Sequence, residues 1–120
     1  MGWDVQFTEE FEAWWNSLDE GEQEAVAAKV GMLEERGPTL DDPHTSQVHQ
    51  SRHGNMRELK IQYKGQPYRV LYAFDPRRVC MLLLGGNKTG DSRWYDRNVP
   101  TADRIYETLL KELEEEGEIK

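Results

Sequence analysis

Residues 57–74 read RELKIQYKGQPYRVLYAF, and this stretch decides the fold. Large apolar side chains recur at every second position over residues 58–63 and again over residues 68–74. A period of two is typical of β-strands, whose side chains point to opposite faces in turn. Lys64-Gly65 between the two runs is a tight-turn signal. The stretch therefore predicts a β-hairpin.

The register of this hairpin brings Lys60 and Arg69 onto one face of the sheet. If Lys64-Gly65 is a two-residue turn, Lys60 lies directly opposite Arg69. If the loop has four residues, Gln62 opposes Arg69 and Lys60 is a diagonal neighbour. In both registers the other face is apolar and is expected to pack against helices; it carries Leu59, Ile61, Tyr68, Val70 and Tyr72.

Two like charges this close across strands destabilise a sheet by up to about 1 kcal/mol. A chain tolerates that cost where the cations serve a function, so the Lys60/Arg69 pair indicates a site for an anionic ligand. The alternative is structural: Glu58 or Asp91 neutralises the pair, or both cations reach solvent.

The segment after the hairpin predicts a buried central strand. Asp75-Pro76 turns the chain, and the uniformly apolar run Val79–Leu84 is typical of a strand covered on both faces. Gly85-Gly86 is expected to end it. Residues 87–100 are then expected to be an irregular polar segment. Lys88 follows the two glycines, where it either points into the same face as Lys60 or belongs to a solvated loop.

The N-terminal third predicts a short strand and two acidic helices. Residues 3–7 alternate as a strand would, and Thr8 is a candidate N-cap for a helix over residues 9–18. Asp19 and Glu22 form a capping-box pair for a second helix, which Gly37-Pro38 ends. Residues 37–47 are expected to be a loop.

A last helix is expected from Ala102, with apolar residues at Ile105, Leu109 and Leu113, fraying into an acidic tail at residues 114–120. The whole chain, residues 1–120, is predicted to be a single α+β domain. Two N-terminal helices pack on a small antiparallel sheet, and a C-terminal helix follows.

Charge is distributed unevenly along the chain. The net charge is −8, yet residues 52–97 hold ten Lys or Arg and four Asp or Glu. Residues 1–51 carry a net charge of −10 and residues 98–120 a net charge of −4. A basic centre can attract phosphate locally whatever the total charge. The alternative is that acids and bases simply occupy solvated helix and strand faces.

Several classes of protein are excluded by what the chain lacks. No apolar run approaches the roughly 18 residues of a membrane span, and no signal peptide is expected at Met1. The single cysteine, Cys80, rules out an internal disulfide and fits a reducing cytosol. No zinc ligand set, P-loop or nucleophile-elbow motif is present, so neither a metal nor a nucleotide cofactor is expected. His44, His49 and His53 cluster before the hairpin and are secondary acid–base candidates.

The residues that remain suit chemistry at a phosphate. RNA can be cleaved by its own 2′-hydroxyl attacking the adjacent phosphate, which needs a base, an acid and cations on the developing charge, but no metal. Lysine or tyrosine can transfer the protons, and arginine can hold phosphate with two hydrogen bonds. The residues therefore suit a phosphate-centred reaction, such as metal-independent RNA cleavage, with Lys60 as a candidate base and Arg69 as a phosphate-binding group.

Three segments together resemble the RelE/HigB toxin superfamily, and most of all its phage-derived HigB-like branch. They are residues 56–61 (MRELKI), 67–75 (PYRVLYAFD) and 82–90 (LLLGGNKTG); Trp94-Tyr95 and residues 100–103 (PTAD) also fit. The resemblance covers roughly residues 3–113. It implies a RelE-like fold and a ribosome-dependent mRNA endoribonuclease, or mRNA interferase, that inhibits translation in the cytoplasm. Such a protein is the toxin of a type II toxin–antitoxin system.

The resemblance also implies site residues and partners. It puts Lys60, Arg69, Lys88 and Tyr95 in the catalytic site, and Arg57 and Arg93 on RNA phosphates. Its partners would be the ribosome with its mRNA and an antitoxin, usually a small helix-turn-helix protein, bound to the basic face or to the helix hairpin.

The chain departs from the family pattern in two ways. Gln62 stands where RelE-type members often have a second basic residue, and the net charge of −8 is unlike many basic members. The superfamily also includes ParE-like members that inhibit gyrase. A non-nuclease binding module, either a gyrase-directed toxin or a diverged antitoxin-binding protein, is therefore the alternative.

Overall fold

The computed structural model describes residues 2–120. Residues 2–120 form five strands and three α-helices, in the order β1, α1, α2, β2, β3, β4, β5, α3. The strands are β1 Val5–Phe7, β2 Thr45–Gln47, β3 Arg57–Tyr63, β4 Gln66–Phe74 and β5 Cys80–Asn87. The helices are α1 Glu9–Ser17, α2 Glu20–Arg36 and α3 Trp94–Glu115, with one 3₁₀ turn at Gly37–Thr39. The predicted α+β architecture is confirmed.

The five strands form one mixed sheet in the order β1-β5-β4-β3-β2. The predicted antiparallel pairing is confirmed for β2 to β5 and is wrong at β1, which pairs with β5 in parallel. The prediction of a plain loop over residues 37–47 is also wrong, because it holds the 3₁₀ turn and β2. The three residues of β2 are Thr, Ser and Gln, so they carry no hydrophobic period that would mark a strand.

The hairpin of β3 and β4 has the tighter of the two predicted registers, with Lys60 directly opposite Arg69. Its two-residue turn consists of Lys64 and Gly65, whose φ angles of 50° and 76° are both positive. Two positive φ angles are the requirement of a type I′ turn, whose twist matches that of the strands.

The helices α1 and α2 cover one face of the sheet. Thr8 caps α1 by accepting a hydrogen bond from the Phe11 amide, and Asp19 and Glu22 form the expected capping box of α2. The apolar hairpin face packs beneath these helices, as predicted. The buried side chains of this layer include Phe11, Val26, Leu33, Leu59, Ile61, Val70, Tyr72 and Leu82.

The helix α3 covers part of the opposite face, over Leu71, Ala73, Met81 and Leu83. It begins at Trp94, so the prediction of an irregular segment up to residue 100 is wrong. Pro100 lies inside the helix, where proline is unfavourable because it removes a helical hydrogen bond.

The last turn of α3 also differs from expectation. Glu114 and Glu115 are helical, so the tail does not begin at residue 114 as predicted. Gly117 has a φ of 75°, and the Glu118 amide donates to the Leu113 carbonyl at 2.8 Å. This left-handed glycine turn is a common helix C-terminus, and it satisfies carbonyls that would otherwise lack donors.

Gly85 and Gly86 lie inside β5 rather than ending it, because the strand continues to Asn87. A Cβ on Gly85 would come within 2.3 Å of the Trp14 ring, and a Cβ on Gly86 within 2.6 Å of the Trp94 ring. The two indole rings therefore press on the same dipeptide from opposite faces of the sheet, and only glycine leaves room for both.

Candidate active site

The predicted pair of cations lies on the sheet face that α3 only partly covers. Lys60 is partly exposed, and its Nζ is 3.3 Å from Oδ1 of Asp42 in the loop before β2. The Asp42 side chain is largely in solvent, and exposed ion pairs of this kind contribute little to stability. Lys60 is therefore held only loosely.

Arg69 is held far more firmly. Its Nε lies 3.0 Å from Oε1 of Glu58 and 3.3 Å from the Tyr95 hydroxyl, and its Nη1 donates to the Tyr68 carbonyl at 3.0 Å. The side chains of Arg69 and Glu58 are only 15% and 11% exposed. Within residues 2–120, Nη2 of Arg69 has no hydrogen-bond partner, so this nitrogen is free to donate to a ligand.

Tyr95 joins the site from the first turn of α3. Its hydroxyl donates to Oε1 of Glu58 at 2.5 Å, so Glu58 binds Tyr95 and Arg69 with one oxygen. Burial, followed by the hydrogen bond to Glu58, raises the pKa of Tyr95 to about 12. Tyr95 is therefore a protonated donor at neutral pH, and not a base.

Lys88 follows directly after β5, next to β4, where its amide donates to the Pro67 carbonyl at 3.0 Å. Its Nζ lies 5.9 Å from the centre of the Tyr95 ring, a cation–π distance. Among residues 2–120, no carboxylate lies within ion-pair distance of Lys88. We call Lys60, Arg69, Lys88 and Tyr95 the cationic face.

The two predicted RNA-binding arginines differ in position. Arg57 lies on the opposite face of β3, where its guanidinium donates to the Thr45 hydroxyl at 2.8 Å and lies 3.5 Å from Asp41. Its Nε is buried and has no partner among the described residues. Arg93 immediately precedes α3 with its side chain exposed, two residues from Tyr95.

The histidines lie outside the cationic face. Nδ1 of His44 is 2.8 Å from Nζ of Lys29, and burial together with Lys29 and Arg36 lowers the pKa of His44. Nε2 of His53 lies 2.8 Å from Glu107 on α3. His49 is exposed. No group of three or more metal-ligating side chains is found within residues 2–120.

Glu58 is the residue of this site that sequence reasoning did not include. The alternation of β3 puts Glu58 on the same face as Lys60, where the sequence indicates only that it can neutralise the two cations. Its contact with Tyr95 had no signal in the sequence, because Tyr95 was assigned to an irregular segment and lies 37 residues away.

The cationic face contains two kinds of positively charged group, ammonium and guanidinium. The side chains of Lys60 and Lys88 end in mobile ammonium groups, while the guanidinium of Arg69 is fixed by Glu58 and by a backbone carbonyl. Planar guanidinium groups and point-charge ammonium groups both bind phosphate. The cationic face can therefore hold a phosphodiester and supply protons next to it.

Two comparisons with known sequences agree with each other. The family model of phage-derived Gp49-like proteins (DUF891) matches residues 13–107. A Mycobacterium tuberculosis protein named as toxin HigB3 is 42% identical over 100 residues, covering 82% of this chain and 86% of that protein. One named as toxin HigB2 is 39% identical over 117 residues, covering 96% of this chain. The chain spans 58% of the length of HigB2.

Solved structures show the same fold at low sequence identity. A mutant of the Escherichia coli toxin RelE in the free state matches with a TM-score of 0.59 at 19% identity, covering 84% of this chain and 98% of that one. A chain of the archaeal RelE–RelB complex from Pyrococcus horikoshii matches with a TM-score of 0.55 at 15% identity, covering 77% of this chain and 100% of that one.

Proposed function

The chain belongs to the phage-derived Gp49-like family within the RelE/HigB toxin superfamily, and from that membership we propose that it is the toxin of a type II toxin–antitoxin pair. Its proposed activity is ribosome-dependent endonucleolytic cleavage of mRNA, which stops translation in the cytoplasm. Its proposed partners are the ribosome, the mRNA and an antitoxin, the last expected to be a small helix-turn-helix protein. No helix within residues 2–120 is both long and apolar enough to cross a bilayer.

The observation that carries this proposal is the direct pairing of Lys60 with Arg69 on a partly uncovered sheet face. Lys88 and Tyr95 approach the same point from two other elements. Asp42 and Glu58 offset part of the repulsion between Lys60 and Arg69, but Nη2 of Arg69 has no partner within residues 2–120 and can donate to an anionic substrate.

In the proposed reaction the 2′-hydroxyl of one nucleotide attacks the adjacent phosphorus, and the bond from phosphorus to the 5′-oxygen breaks. The products are a 2′,3′-cyclic phosphate and a free 5′-hydroxyl. The proton of the 2′-hydroxyl passes to solvent, and the leaving 5′-oxygen takes up a proton from the ammonium of Lys60, which is loosely held, can move and regains its proton from solvent.

The remaining residues of the cationic face bind and orient the phosphate. Nη2 of Arg69 and the ammonium of Lys88 stabilise the charge that develops on its oxygens. Tyr95 stays protonated and can only donate. Arg93, which precedes Tyr95, is proposed to contact a neighbouring phosphate. Arg57 is left out of the proposed RNA surface because it lies on the opposite face.

Glu58 is proposed to be a positioning residue. It holds Arg69 and Tyr95 through one carboxylate oxygen, and the Ser46 hydroxyl donates to the other at 3.3 Å. A guanidinium fixed in this way binds phosphate without first losing its own freedom of movement.

The ion pairs favour a second candidate, a binding module of the same fold that cleaves no RNA. Glu58 and Asp42 pair with two of the three cations, as a purely structural cluster would require. Against this, Lys88 has no carboxylate partner within the described residues, and the Lys60–Asp42 pair is exposed. The second candidate would act as a gyrase-directed toxin or as a diverged antitoxin-binding protein.

The test is mRNA integrity in a cell-free translation reaction, with a parallel reaction that contains the same mRNA without ribosomes. We expect cleavage only where ribosomes are present. Arg69→Ala should reduce cleavage by roughly 100-fold or more, the usual cost of losing one transition-state donor. Lys111→Ala, which removes an exposed cation of α3, is the matched control and should cleave normally. Intact mRNA with folded wild-type protein would favour the binding module.

A further inference from the structure

Two carboxylates reach the cationic face, and they are held very differently. Glu58 contacts both Arg69 and Tyr95, and its side chain is only 11% exposed. The side chain of Asp42 is 72% exposed, and its only partner within residues 2–120 is Nζ of Lys60 at 3.3 Å. Glu58 is therefore part of the framework of the site, whereas the Asp42 carboxylate can leave Lys60 at little cost.

The backbone around Asp42 is fixed although its side chain is free. Leu40 and Thr45, which lie on either side of it, are both buried. The amide of Lys60 donates to the His44 carbonyl at 2.8 Å, so the loop before β2 is held directly against β3. The loop therefore keeps the Asp42 carboxylate within reach of Lys60 whenever no other anion is bound there.

A carboxylate at this point takes the place of a phosphate. An ammonium group binds either anion as a compact positive charge, and one that is paired with a carboxylate has little net charge left to attract RNA. An RNA phosphate must therefore displace Asp42 before it contacts Lys60. Breaking one exposed ion pair of this kind weakens binding by roughly two- to fivefold.

We propose that Asp42 is a specificity-determining residue, whose carboxylate competes with RNA phosphate for Lys60. This competition lowers the affinity of the cationic face for free RNA. RNA that other contacts already hold at the site is present at a high effective concentration, so a competitor of this strength matters much less there. The inference rests on the proposed function for the identity of the anion as an RNA phosphate.

Asp41 provides a matched control for this proposal. Its side chain is 78% exposed, and its carboxylate lies 3.5 Å from Arg57, whose side chain is on the opposite face of β3. Asp41→Asn and Asp42→Asn change the net charge by the same amount at neighbouring positions. A comparison of the two therefore separates competition for Lys60 from the general repulsion between RNA and a negative charge.

The test measures binding of the purified full chain to a short fluorescein-labelled 2′-O-methyl oligoribonucleotide, which lacks the attacking hydroxyl and cannot be cleaved. Fluorescence anisotropy at several salt concentrations gives the affinity and its salt slope. We expect Asp42→Asn to bind roughly two- to fivefold more tightly than the wild type. The slope should steepen by about 0.7, because Lys60 gains one phosphate contact. Asp42→Glu, which keeps the carboxylate, and Asp41→Asn should both bind as the wild type does.

A double-mutant cycle assigns the effect to Lys60. In a Lys60→Ala background, Asp42→Asn should leave both the affinity and the slope unchanged, because the cation for which the carboxylate competes is gone. Specificity is measured by adding the same oligonucleotide to the cell-free mRNA reaction. It should halve cleavage by Asp42→Asn at a concentration roughly two- to fivefold lower than it needs with the wild type.

Three results of the binding assay would overturn the proposal. Unchanged or weaker binding by Asp42→Asn would mean that the carboxylate does not compete with RNA. Equal tightening by Asp41→Asn would reduce the effect to net charge. A gain in affinity that persists in Lys60→Ala would assign the effect to another group.

The binding assay also separates this inference from the proposed function. If the wild type leaves mRNA intact on ribosomes while Asp42→Asn binds the oligonucleotide more tightly, the nuclease function fails and the competition stands. If the wild type cleaves mRNA while Asp42→Asn binds no more tightly, the competition fails and the nuclease function stands.

Discussion

Gly86 packs against Trp94, the residue next to Tyr95 of the cationic face, so a change at Gly86 should affect both the core and the site. A methyl group there would lie 2.6 Å from the Trp94 indole, which neighbours Tyr95 of the cationic face. We expect Gly86→Ala to lower the free energy of unfolding by about 1–3 kcal/mol, since overpacked cores must shift backbone or side chains. Urea unfolding followed by circular dichroism measures it.

The same variant should also lose activity in the cell-free mRNA reaction, because displacing Trp94 moves Tyr95. Gly31→Ala is the control, as a methyl group on this α2 glycine meets nothing within 4 Å. It should stabilise the protein by about 0.5–1 kcal/mol, the usual gain of alanine over glycine in a helix. Equal stability of Gly86→Ala and the wild type would contradict the packing described for β5.

Glu58 links the charge of the site to its geometry. In Glu58→Gln the pKa of Tyr95 should fall below about 12, because one cause that raises it is the carboxylate of Glu58. It should stay above the ordinary value of 10.0, because burial remains. A pH titration of tyrosinate absorbance, read as the difference from Tyr95→Phe, measures the change.

Glu58→Ala should be more harmful than Glu58→Gln, because it leaves the largely buried guanidinium of Arg69 without a side-chain acceptor at the position of Glu58. We expect a loss of stability on the order of 3 kcal/mol for the alanine variant. A larger loss of mRNA cleavage in Glu58→Ala than in Glu58→Gln would support a positioning role for Glu58. Equal cleavage by both variants and the wild type would contradict that role.

At the scale of elements, α3 is fastened to the loop between β2 and β3. Glu107 accepts hydrogen bonds from Arg52 and lies 2.8 Å from the His53 ring, while the buried Asp103 accepts from the Ser51 hydroxyl and the Arg52 amide. These contacts hold α3, which carries Trp94 and Tyr95, against the loop between β2 and β3. Because Glu107 is a titratable group, the stability of the fold should depend on pH.

The hydrogen bonds from Arg52 and His53 lower the pKa of Glu107 from its ordinary value of 4.5. A lowered pKa in the folded state means that the stabilisation is fully present above about pH 4.5 and is lost as the pH falls through the lower folded value. Melting temperatures of the wild type and Glu107→Gln should therefore differ at neutral pH and converge under acid conditions. A difference that persists at the lowest pH would contradict this.

Elements differ in how far the sequence predicts them, and the reasons are local. The β3–β4 hairpin is predictable to its register because its alternation is regular and Lys64-Gly65 suits one turn type. The start of α3 is not, because Pro100 and the glycine pair both resemble breakers. The glycine pair is present for a tertiary reason: only glycine at positions 85 and 86 leaves room for the Trp14 and Trp94 rings. Because the start of α3 could not be predicted, neither could the contact of Tyr95 with Glu58 and Arg69.

At the scale of the whole molecule, the most acidic part of the chain, residues 1–51, is separated in space from the cationic face except at Asp42. The acidic N-terminal helices cover one sheet face, and Lys60, Arg69 and Lys88 lie on the other. Electrostatic binding to ribosomal RNA should therefore weaken with salt despite the net charge of −8. In ribosome sedimentation at several salt concentrations, Lys88→Ala should reduce the salt slope by about one.

Lys111→Ala is the control for the salt experiment and should leave the slope unchanged. Identical slopes for Lys88→Ala and the wild type would show that Lys88 does not contact RNA.

The overall architecture was predictable from the order of periodic segments. The parallel pairing of β1 was not, because its three residues pair with a strand that begins at Cys80, far along the chain.

The two tryptophans that enclose Gly85-Gly86 also give the molecule a pair of intrinsic optical reporters. Trp94 is buried beside Tyr95, whereas Trp14 belongs to the helix layer on the other side of the same strand. In a variant that keeps Trp94 as its only indole, emission should respond to an oligonucleotide on the cationic face. With Trp14 alone, it should respond to events in the helix layer. Fluorescence emission of the two single-tryptophan variants can therefore show on which face of the sheet a ligand binds.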